Sequence, residues 1–333
     1  MTRFLIGLVG ALMIVACGSQ TGPEPETEAP EWRIVIHGGA GVILRENLSS
    51  EQEAAYTAAL ETSLKAGGDV LANGGSAVDA VQAAVLTMED DPLFNAGRGA
   101  VMTAARIHEL DASIMDGRDR NAGAVAGVTR VRNPILAARA VMDQSEHVMF
   151  AGPGADEFAE SVGLELVENA YFTTERRVQS LERVLEEQTR TDADRHGTVG
   201  AVAIDKDGNI AAATTTGGMT AKAAGRIGDS PIIGAATYAQ NGVCAVSATG
   251  HGEYFIRVGV AKTICSRVEL AGETITVAAE NALGQVEALG GDGGVIVMGG
   301  AGEYAYVFNS AGMYRGMMDA SGTLETAIFE PDE

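Results

Sequence analysis

The chain has 333 residues, enough for one large domain or two packed ones with a sizeable core. Acidic residues number 45 against 23 basic ones, and the resulting charge of −22 repels phosphate backbones, which sets nucleic-acid binding aside. Only 5% of residues are aromatic while 46% are hydrophobic, so the core is built from small and aliphatic side chains, and the 43 glycines, which follow no collagen-like period, mark turns and close backbone approaches.

The chain starts with a basic residue, Arg3, then an apolar run from Phe4 to Ala16. That run is too short to span about 30 Å of hydrocarbon and matches the core of a signal peptide. Ala16-Cys17-Gly18 ends it in the manner of a bacterial lipobox, so residues 1–16 are expected to be a signal peptide and Cys17 a lipidated N-terminus. Residues 18–31 are polar and rich in Pro and Glu, with no apolar period, and read as a tether. The expected location is therefore the bacterial cell envelope, lipid-anchored and facing the periplasm. A single folded domain is expected over 32–333.

Within it, 33–38 reads as a buried strand running into a Gly-rich turn, HGGAG. Residues 50–66 and 76–88 have helical apolar spacing, each with Ser near its start and an acid three further on, Glu53 and Asp79, in the pattern of a capping box. A strand is expected over 121–130, a helix from Pro134 to about 142, a strand over 147–151 and a helix near 155–161. Residues 173–195 start as a charged helix and end as a solvated tail. Two strands, 198–205 and 209–216, flank the turn signal Asp207-Gly208. A strand at 243–249, helices near 253–265 and 275–289, and a terminal strand pair at 294–298 and 304–309 complete the expected set. Cys244 and Cys265 read as buried small hydrophobes; a disulfide between them stays open, because sequence carries no geometry.

The sequence has no HExxH, no Cys/His cluster at ligand spacing, no phosphate loop and no GxSxG elbow. Five scattered histidines read as structural. What remains is threonine. In His196-Gly197-Thr198-Val199-Gly200 a polar tail meets a buried strand. A hydroxyl is a weak nucleophile without an adjacent base. A threonine at a chain terminus carries that base itself, as an α-amine with a pKa of about 8. Gly197 permits the backbone conformation that cutting the 197–198 bond requires. By itself HGTVG is a weak signal, since Gly-Thr at a strand start is usually only a turn.

Residues 196–239, HGTVGAVAIDKDGNIAAATTTGGMTAKAAGRIGDSPIIGAATYA, resemble the plant-type L-asparaginase/isoaspartyl peptidase family of N-terminal-nucleophile hydrolases. The resemblance continues in IHGGAG (36–41), DPLFNAGRGA (91–100), ELDASIMDG (109–117), residues 122–142 and TGHGE (249–253), and spans about 33–317. It implies an α+β fold of the αββα-sandwich type, autocleaved into an α chain (17–197) and a β chain (198–333), and a dimer of such αβ protomers. Thr198 would be the nucleophile released after Gly197, with the Thr216 hydroxyl beside it. Thr249 and the Gly250 N–H would form the oxyanion hole, and Gly250 would also border the substrate. Arg226 and Asp229 would bind the substrate's α-carboxylate and α-ammonium, and Asn95 would support the site.

No cofactor is implied for catalysis. A structural sodium is implied at the backbone carbonyls of Met88, Glu89, Asp91, Phe94, Ala96 and Arg98, where an inward-turned Arg98 side chain would oppose it. The expected activity is hydrolysis of β-aspartyl peptides and L-asparagine through an acyl-enzyme. A glycosylasparagine amidase and a non-catalytic envelope binding protein are the alternatives. His251 follows the oxyanion glycine and carries no assigned chemistry.

Overall fold

The computed structural model describes residues 32–41, 43–188 and 197–329. The expected signal peptide, Cys17, the tether, the charged tail up to His196 and residues 330–333 lie outside the described residues.

The expected elements are largely present, with shifted ends. Strand β1 (Arg33–Gly41) runs through the HGGAG turn. Helix α1 (Ser50–Ala72) follows, then α2 (Ala77–Asp90). Ser49 and Gln52 form the capping box of α1, one residue before the expected pair, because the Ser49 hydroxyl rather than that of Ser50 faces the first free N–H groups. Ser76 caps α2 as its spacing with Asp79 implies. Strand β2 (Leu110–Asp116) was not anticipated, since all seven residues are buried, Asp111 and Ser113 among them, and alternation disappears when both faces are covered. Then come β3 (Ala122–Val128), α3 (Pro134–Gln144), β4 (Met149–Ala151), α4 (Gly152–Ser161) and α5 (Glu175–Glu187).

After the cleavage-site candidate come β5 (Val199–Ile204) and β6 (Ile210–Thr216), antiparallel across the expected turn. The short β7 (Thr237–Gln240) is a second unanticipated strand, and it pairs with β8 (Cys244–Gly250). The helix expected at 253–265 is two helices, α6 (Gly252–Val258) and α7 (Val260–Ala271), broken at Gly259, whose φ of 63° is left-handed. Helix α8 (Ile275–Ala288) precedes β9 (Gly293–Gly299) and β10 (Tyr304–Phe308). That pair does not complete the sheet content: β11 (Gly312–Asp319) and β12 (Leu324–Phe329) follow, and β11 pairs with β1.

The strands make an eight-stranded sheet, β12-β11-β1-β5-β6-β2-β3-β4, and a four-stranded one, β10-β9-β8-β7. Helices α1, α2 and α3 pack on the larger sheet, and α7 and α8 on the smaller. Strands β1, β5 and β6 meet β8 between the sheets. The period of two divides the apolar residues. Ile34 and Ile36 of β1 and Ala201 and Ala203 of β5 point to the helices, whereas Val35, Val202 and Ile204 meet Val246 and Val297 of the smaller sheet. The architecture is thus mixed α+β with both faces of the large sheet buried.

Cys244 and Cys265 are both fully buried, and they are joined in a disulfide between β8 and α7 with Cα atoms 5.5 Å apart. The sequence reading of two separate small hydrophobes is corrected accordingly: packing of α7 on β8 brings the two Cα atoms within bridging range.

Candidate active site

The threonines meet because of sheet register. Val199 lies opposite Thr215 in the β5–β6 ladder, so Thr198 falls opposite Thr216. Their hydroxyls are 3.2 Å apart, with Thr198 donating to Thr216 Oγ1. The same Thr216 oxygen accepts the Gly218 N–H at 3.0 Å. Both threonines are buried. On the other side of the scissile-bond candidate, Gly197 has φ +137° and presses against the HGGAG turn. A Cβ on Gly39 would lie 2.8 Å from Gly197 Cα, so the chain bulges there between His37 and Gly39 and only glycine fits.

His37 was read as structural, and it is the imidazole that touches the nucleophile residue. Its Nδ1 is 3.1 Å from the Thr198 carbonyl and its Nε2 2.9 Å from Ser247 Oγ. Complete burial pushes its pKa down to about 3, with the bond to the Thr198 carbonyl opposing that, so the ring is neutral. A carbonyl can only accept; hence Nδ1 carries the proton and Nε2 accepts the Ser247 hydroxyl. With both nitrogens engaged, the ring has no lone pair free for Thr198 Oγ1.

From Ser247 a line of buried hydroxyls crosses between the sheets. Thr214 Oγ1 is 2.7 Å from Ser247, Thr237 Oγ1 2.6 Å from Thr214, and Ser113 Oγ 2.7 Å from Thr237. Ser113 also lies 2.6 Å from the Ser230 carbonyl, next to Asp229. Gly200 leaves the room, since a Cβ there would collide with Ser247 Oγ and His37 Nε2. The sequence offered little to find this line beyond the TTT run. Its members lie on β2, β6, β7 and β8, and only the packing of one sheet on the other assembles them.

The substrate-side candidates form a second cluster. Thr249 is fully buried, and its Oγ1 accepts the Ala40 N–H at 3.3 Å; Gly250 ends β8 opposite Gly293. The Asp229 carboxyl is fully buried, and its Oδ2 has no hydrogen-bond partner among the described residues. Desolvation drives its pKa up to about 7, with Arg226 only partly countering it. Arg226 is held by Glu253, Nε to Oε1 at 2.9 Å and Nη2 to Oε2 at 2.8 Å, and His251 Nε2 lies 3.4 Å from the same Oε2. Beneath them Lys222 is fully buried, donating to the Glu109 carbonyl at 2.9 Å and standing 3.9 Å from Asp111 Oδ2. Burial lowers the Lys222 pKa and raises that of Asp111. Sequence reasoning passed over both, since one buried cation inside a run of small residues has no spacing to mark it.

Asn95 ties the halves together. Its Nδ2 donates to the Gly218 carbonyl at 2.7 Å, its Oδ1 accepts the Val101 N–H at 2.9 Å, and its own carbonyl accepts the Gly217 N–H at 3.0 Å. The loop carrying it was expected to hold sodium, and its donors suit a hard monovalent ion. The Glu89 carbonyl crowds the Cβ position of Gly97, and the carbonyls of Phe94 and Pro92 crowd that of Gly99, making a cradle of main-chain oxygens that a side chain would fill. Arg98 is exposed and lies over the Tyr171 ring at 5.9 Å, so it does not turn into the cradle. Asp91 O and Ala96 O each already accept one backbone N–H. The buried Glu89 side chain, raised to about 8 by desolvation, bonds Thr215 and the Ile135 N–H instead. No cluster of three or more His, Cys, Asp or Glu suited to a metal occurs among the described residues.

Fold and site define a class: an α+β protein with paired threonine hydroxyls behind a Gly-Thr bond, and with a buried carboxyl, Asp229, whose Oδ2 has no hydrogen-bond partner among the described residues. The family profile described as asparaginase matches residues 30–328, and the chain belongs to that family. It is 47% identical over 306 residues to the isoaspartyl peptidase of Escherichia coli strain K12, covering 89% of this chain and 95% of that protein. Against the isoaspartyl peptidase/L-asparaginase of Homo sapiens identity is 42% over 285 residues, covering 84% and 91%. Against the probable isoaspartyl peptidase/L-asparaginase 2 of Arabidopsis thaliana it is 38% over 330 residues, covering 90% and 99%.

These relatives correct the expected location. Proteins that match over most of their own length come from a bacterium, an animal and a plant and are named for their peptidase and asparaginase activities, none as an envelope lipoprotein. Among the described residues no helix is long and apolar enough to cross a membrane. The reading of a lipid-anchored, periplasm-facing envelope protein rested on Arg3, the short apolar run and the lipobox-like Ala16-Cys17-Gly18, and it is withdrawn.

Proposed function

We propose that this chain hydrolyses β-aspartyl (isoaspartyl) peptides and L-asparagine with Thr198 as nucleophile. The observation that carries the proposal is the Thr198–Thr216 hydroxyl pair, 3.2 Å apart, placed directly after a glycine of positive φ. Since His37 Nδ1 donates to the Thr198 carbonyl and Nε2 is taken up by Ser247, the ring offers no lone pair to Thr198 Oγ1, and the base for catalysis is the α-amine that cleavage would free on Thr198. In the proposed maturation Thr198 Oγ1 attacks the Gly197 carbonyl carbon, its proton passes to the Thr198 nitrogen, and the peptide C–N bond breaks to leave an ester and a free amine. Water then hydrolyses the resulting ester, leaving a carboxylate on Gly197 and a free amine on Thr198. That amine accepts the Oγ1 proton when the mature enzyme attacks a substrate β-carbonyl and passes it to the departing amine, or to ammonia from asparagine, as the β-amide C–N bond breaks; water then hydrolyses the acyl-enzyme ester and releases aspartate.

Thr249 and the Gly250 N–H are the proposed oxyanion donors, and Arg226 and Asp229 are offered to the α-carboxylate and α-ammonium. A free aspartyl moiety would supply the cation that the buried Asp229 lacks. The proposal includes a single domain over 32–333 in the layered αββα arrangement, supported by helices on the outer face of each sheet, and a dimer of αβ protomers. It also includes a sodium held by the main-chain carbonyls of Met88, Glu89, Asp91, Phe94, Ala96 and Arg98. There the ion would fix the loop that carries Asn95.

Denaturing electrophoresis with N-terminal sequencing tests the maturation, and aspartate release from β-Asp-Leu tests the activity. Two fragments meeting at 197–198 and turnover of the dipeptide are expected. Preference for a glycosylasparagine would move the assignment to the amidase alternative; an intact, inactive chain would overturn it.

A further inference from the structure

The Arg226 guanidinium has two edges that can each bind a carboxylate: a side edge, Nε with Nη2, and an end edge, Nη1 with the second Nη2 hydrogen. Glu253 occupies the side edge with two bonds of 2.9 and 2.8 Å. It does so from the solvent side, with its side chain 46% exposed against 17% for Arg226. The end edge points the other way. Cβ atoms placed on Gly218 and Gly228 would lie 3.4 and 3.0 Å from Nη1, so that edge sits over two side-chain-free positions. Gly218 is the residue whose N–H bonds Thr216 and whose carbonyl holds Asn95. Gly228 precedes Asp229. The free edge thus opens between the nucleophile turn and the buried carboxyl.

An arginine side chain has several rotatable bonds and little reason to hold one direction on a loop. A parallel two-bond carboxylate pair fixes both the plane and the rotation of the guanidinium. Glu253 can supply it because α6 starts at Gly252, whose Cα packs on the Asp229 carboxyl. A Cβ there would be 2.7 Å from Asp229 Oδ1. The same turn that follows Thr249-Gly250 therefore sets the distance between Arg226 and Asp229.

We propose that Glu253 is a positioning residue that clamps the side edge of Arg226, so that the end edge is held ready for the substrate α-carboxylate. This rests on the asparaginase/isoaspartyl peptidase reading above. It makes Glu253 a determinant of selectivity for substrates with a free α-carboxylate. It also separates the clamp from the competing picture in which Glu253 fills the carboxylate site and substrate has to displace it. The two give opposite signs.

The test is steady-state kinetics of the full, matured enzyme with L-asparagine and with β-Asp-Leu, comparing wild type, Glu253→Gln and Glu253→Asp. Under the clamp, Glu253→Gln raises KM roughly ten- to a hundredfold, the range for loosening hydrogen bonds to a charged group, and leaves kcat within about threefold. Glu253→Asp keeps the charge but is one methylene short, and gives a smaller rise. Unchanged KM in Glu253→Gln, or a lowered one, overturns the clamp, as does a fall in kcat with constant KM. Fragment analysis at 197–198 on the same samples reports folding. Should the Gln variant fail to mature, the Asp variant decides by the same criterion. Wild-type enzyme that turns over neither substrate overturns the functional reading instead. The clamp is then read by calorimetry with L-aspartate, where equal affinity of wild type and variant sinks it.

Discussion

The two sides of the site differ in how their buried polar groups are satisfied. On the nucleophile side, His37, Ser247, Thr214, Thr237 and Ser113 form an unbroken line of bonds of 2.6–2.9 Å, and Thr198 itself is bonded at both its hydroxyl and its carbonyl. On the substrate side, Asp229 Oδ2, Ser230 Oγ and Asp111 Oδ2 are buried with no hydrogen-bond partner among the described residues. A buried polar group without a hydrogen bond costs free energy that folding does not recover, and of these three only Asp111 stands in an ion pair among the described residues, with Lys222 Nζ at 3.9 Å. In the proposed function the satisfied side would serve as preorganised machinery and the unsatisfied side would receive the substrate. The Ser113–Ser230 contact is the seam between them.

The most damaging test of this contrast is Thr198→Ala. It should leave a single uncut chain on denaturing gels and remove turnover, roughly 10⁴-fold or more. Residual turnover near wild type would move the nucleophile elsewhere. Next in size is Thr249→Ala, which removes one proposed oxyanion donor and should lower kcat by about 10²–10³ while fragments at 197–198 still form. A change confined to KM would place Thr249 outside the oxyanion hole.

Asp229 offers a pH signature. Its pKa in the free site is pushed up to about 7 by desolvation, and the carboxylate has to be ionised to attract an ammonium. kcat/KM should therefore fall on the acid side of about 7, by about tenfold per unit. Asp229→Asn should flatten that limb and weaken binding. Its effect on stability runs the other way. A carboxyl whose folded pKa is raised disfavours the native state increasingly as pH climbs from the unfolded value toward 7, so the Asn variant should melt higher than wild type at pH 8. An unshifted profile would mean the acid limb belongs to another group.

The smallest effects sharpen the contrast most directly. Ser247→Ala breaks the hydroxyl line and strands His37 Nε2, at a cost of about 1–3 kcal/mol. Ser230→Ala removes an oxygen with no hydrogen-bond partner among the described residues and should change stability by less than about 0.5 kcal/mol. Denaturant melts of the pair check this, and equal losses would erase the distinction between the two sides.

Much of the fold could be read in advance where one face of an element is wet. Helices α1, α2 and α8 show their period, Ser76 caps α2, and Asp207-Gly208 marks the β5–β6 turn. Reading failed where burial is two-sided. Strand β2 hides Asp111 and Ser113 among apolar residues, and β11 pairs with β1 from the far end of the chain. The site divides the same way. Thr198, Thr216, Thr249, Arg226 and Asp229 stood in contiguous motifs. His37 was in view inside HGGAG but as a lone histidine, and Glu253 was in view inside TGHGE without an assigned partner. A side chain's neighbour across a sheet leaves no trace in local spacing.

By itself, the sequence determined the helix and strand periods, the Gly-rich HGGAG turn and Gly197 before Thr198, and the run of residues that identifies the family, because these are local properties of backbone and neighbouring side chains. Only the tertiary structure decided that Cys244 meets Cys265, that His37 is neutral and tied to Thr198, that five hydroxyl and imidazole groups from separate strands form one line, and that Glu253 grips Arg226. Those are contacts between segments 21 to more than 200 residues apart, and their energies follow from burial and register, which exist only once one sheet has packed on the other.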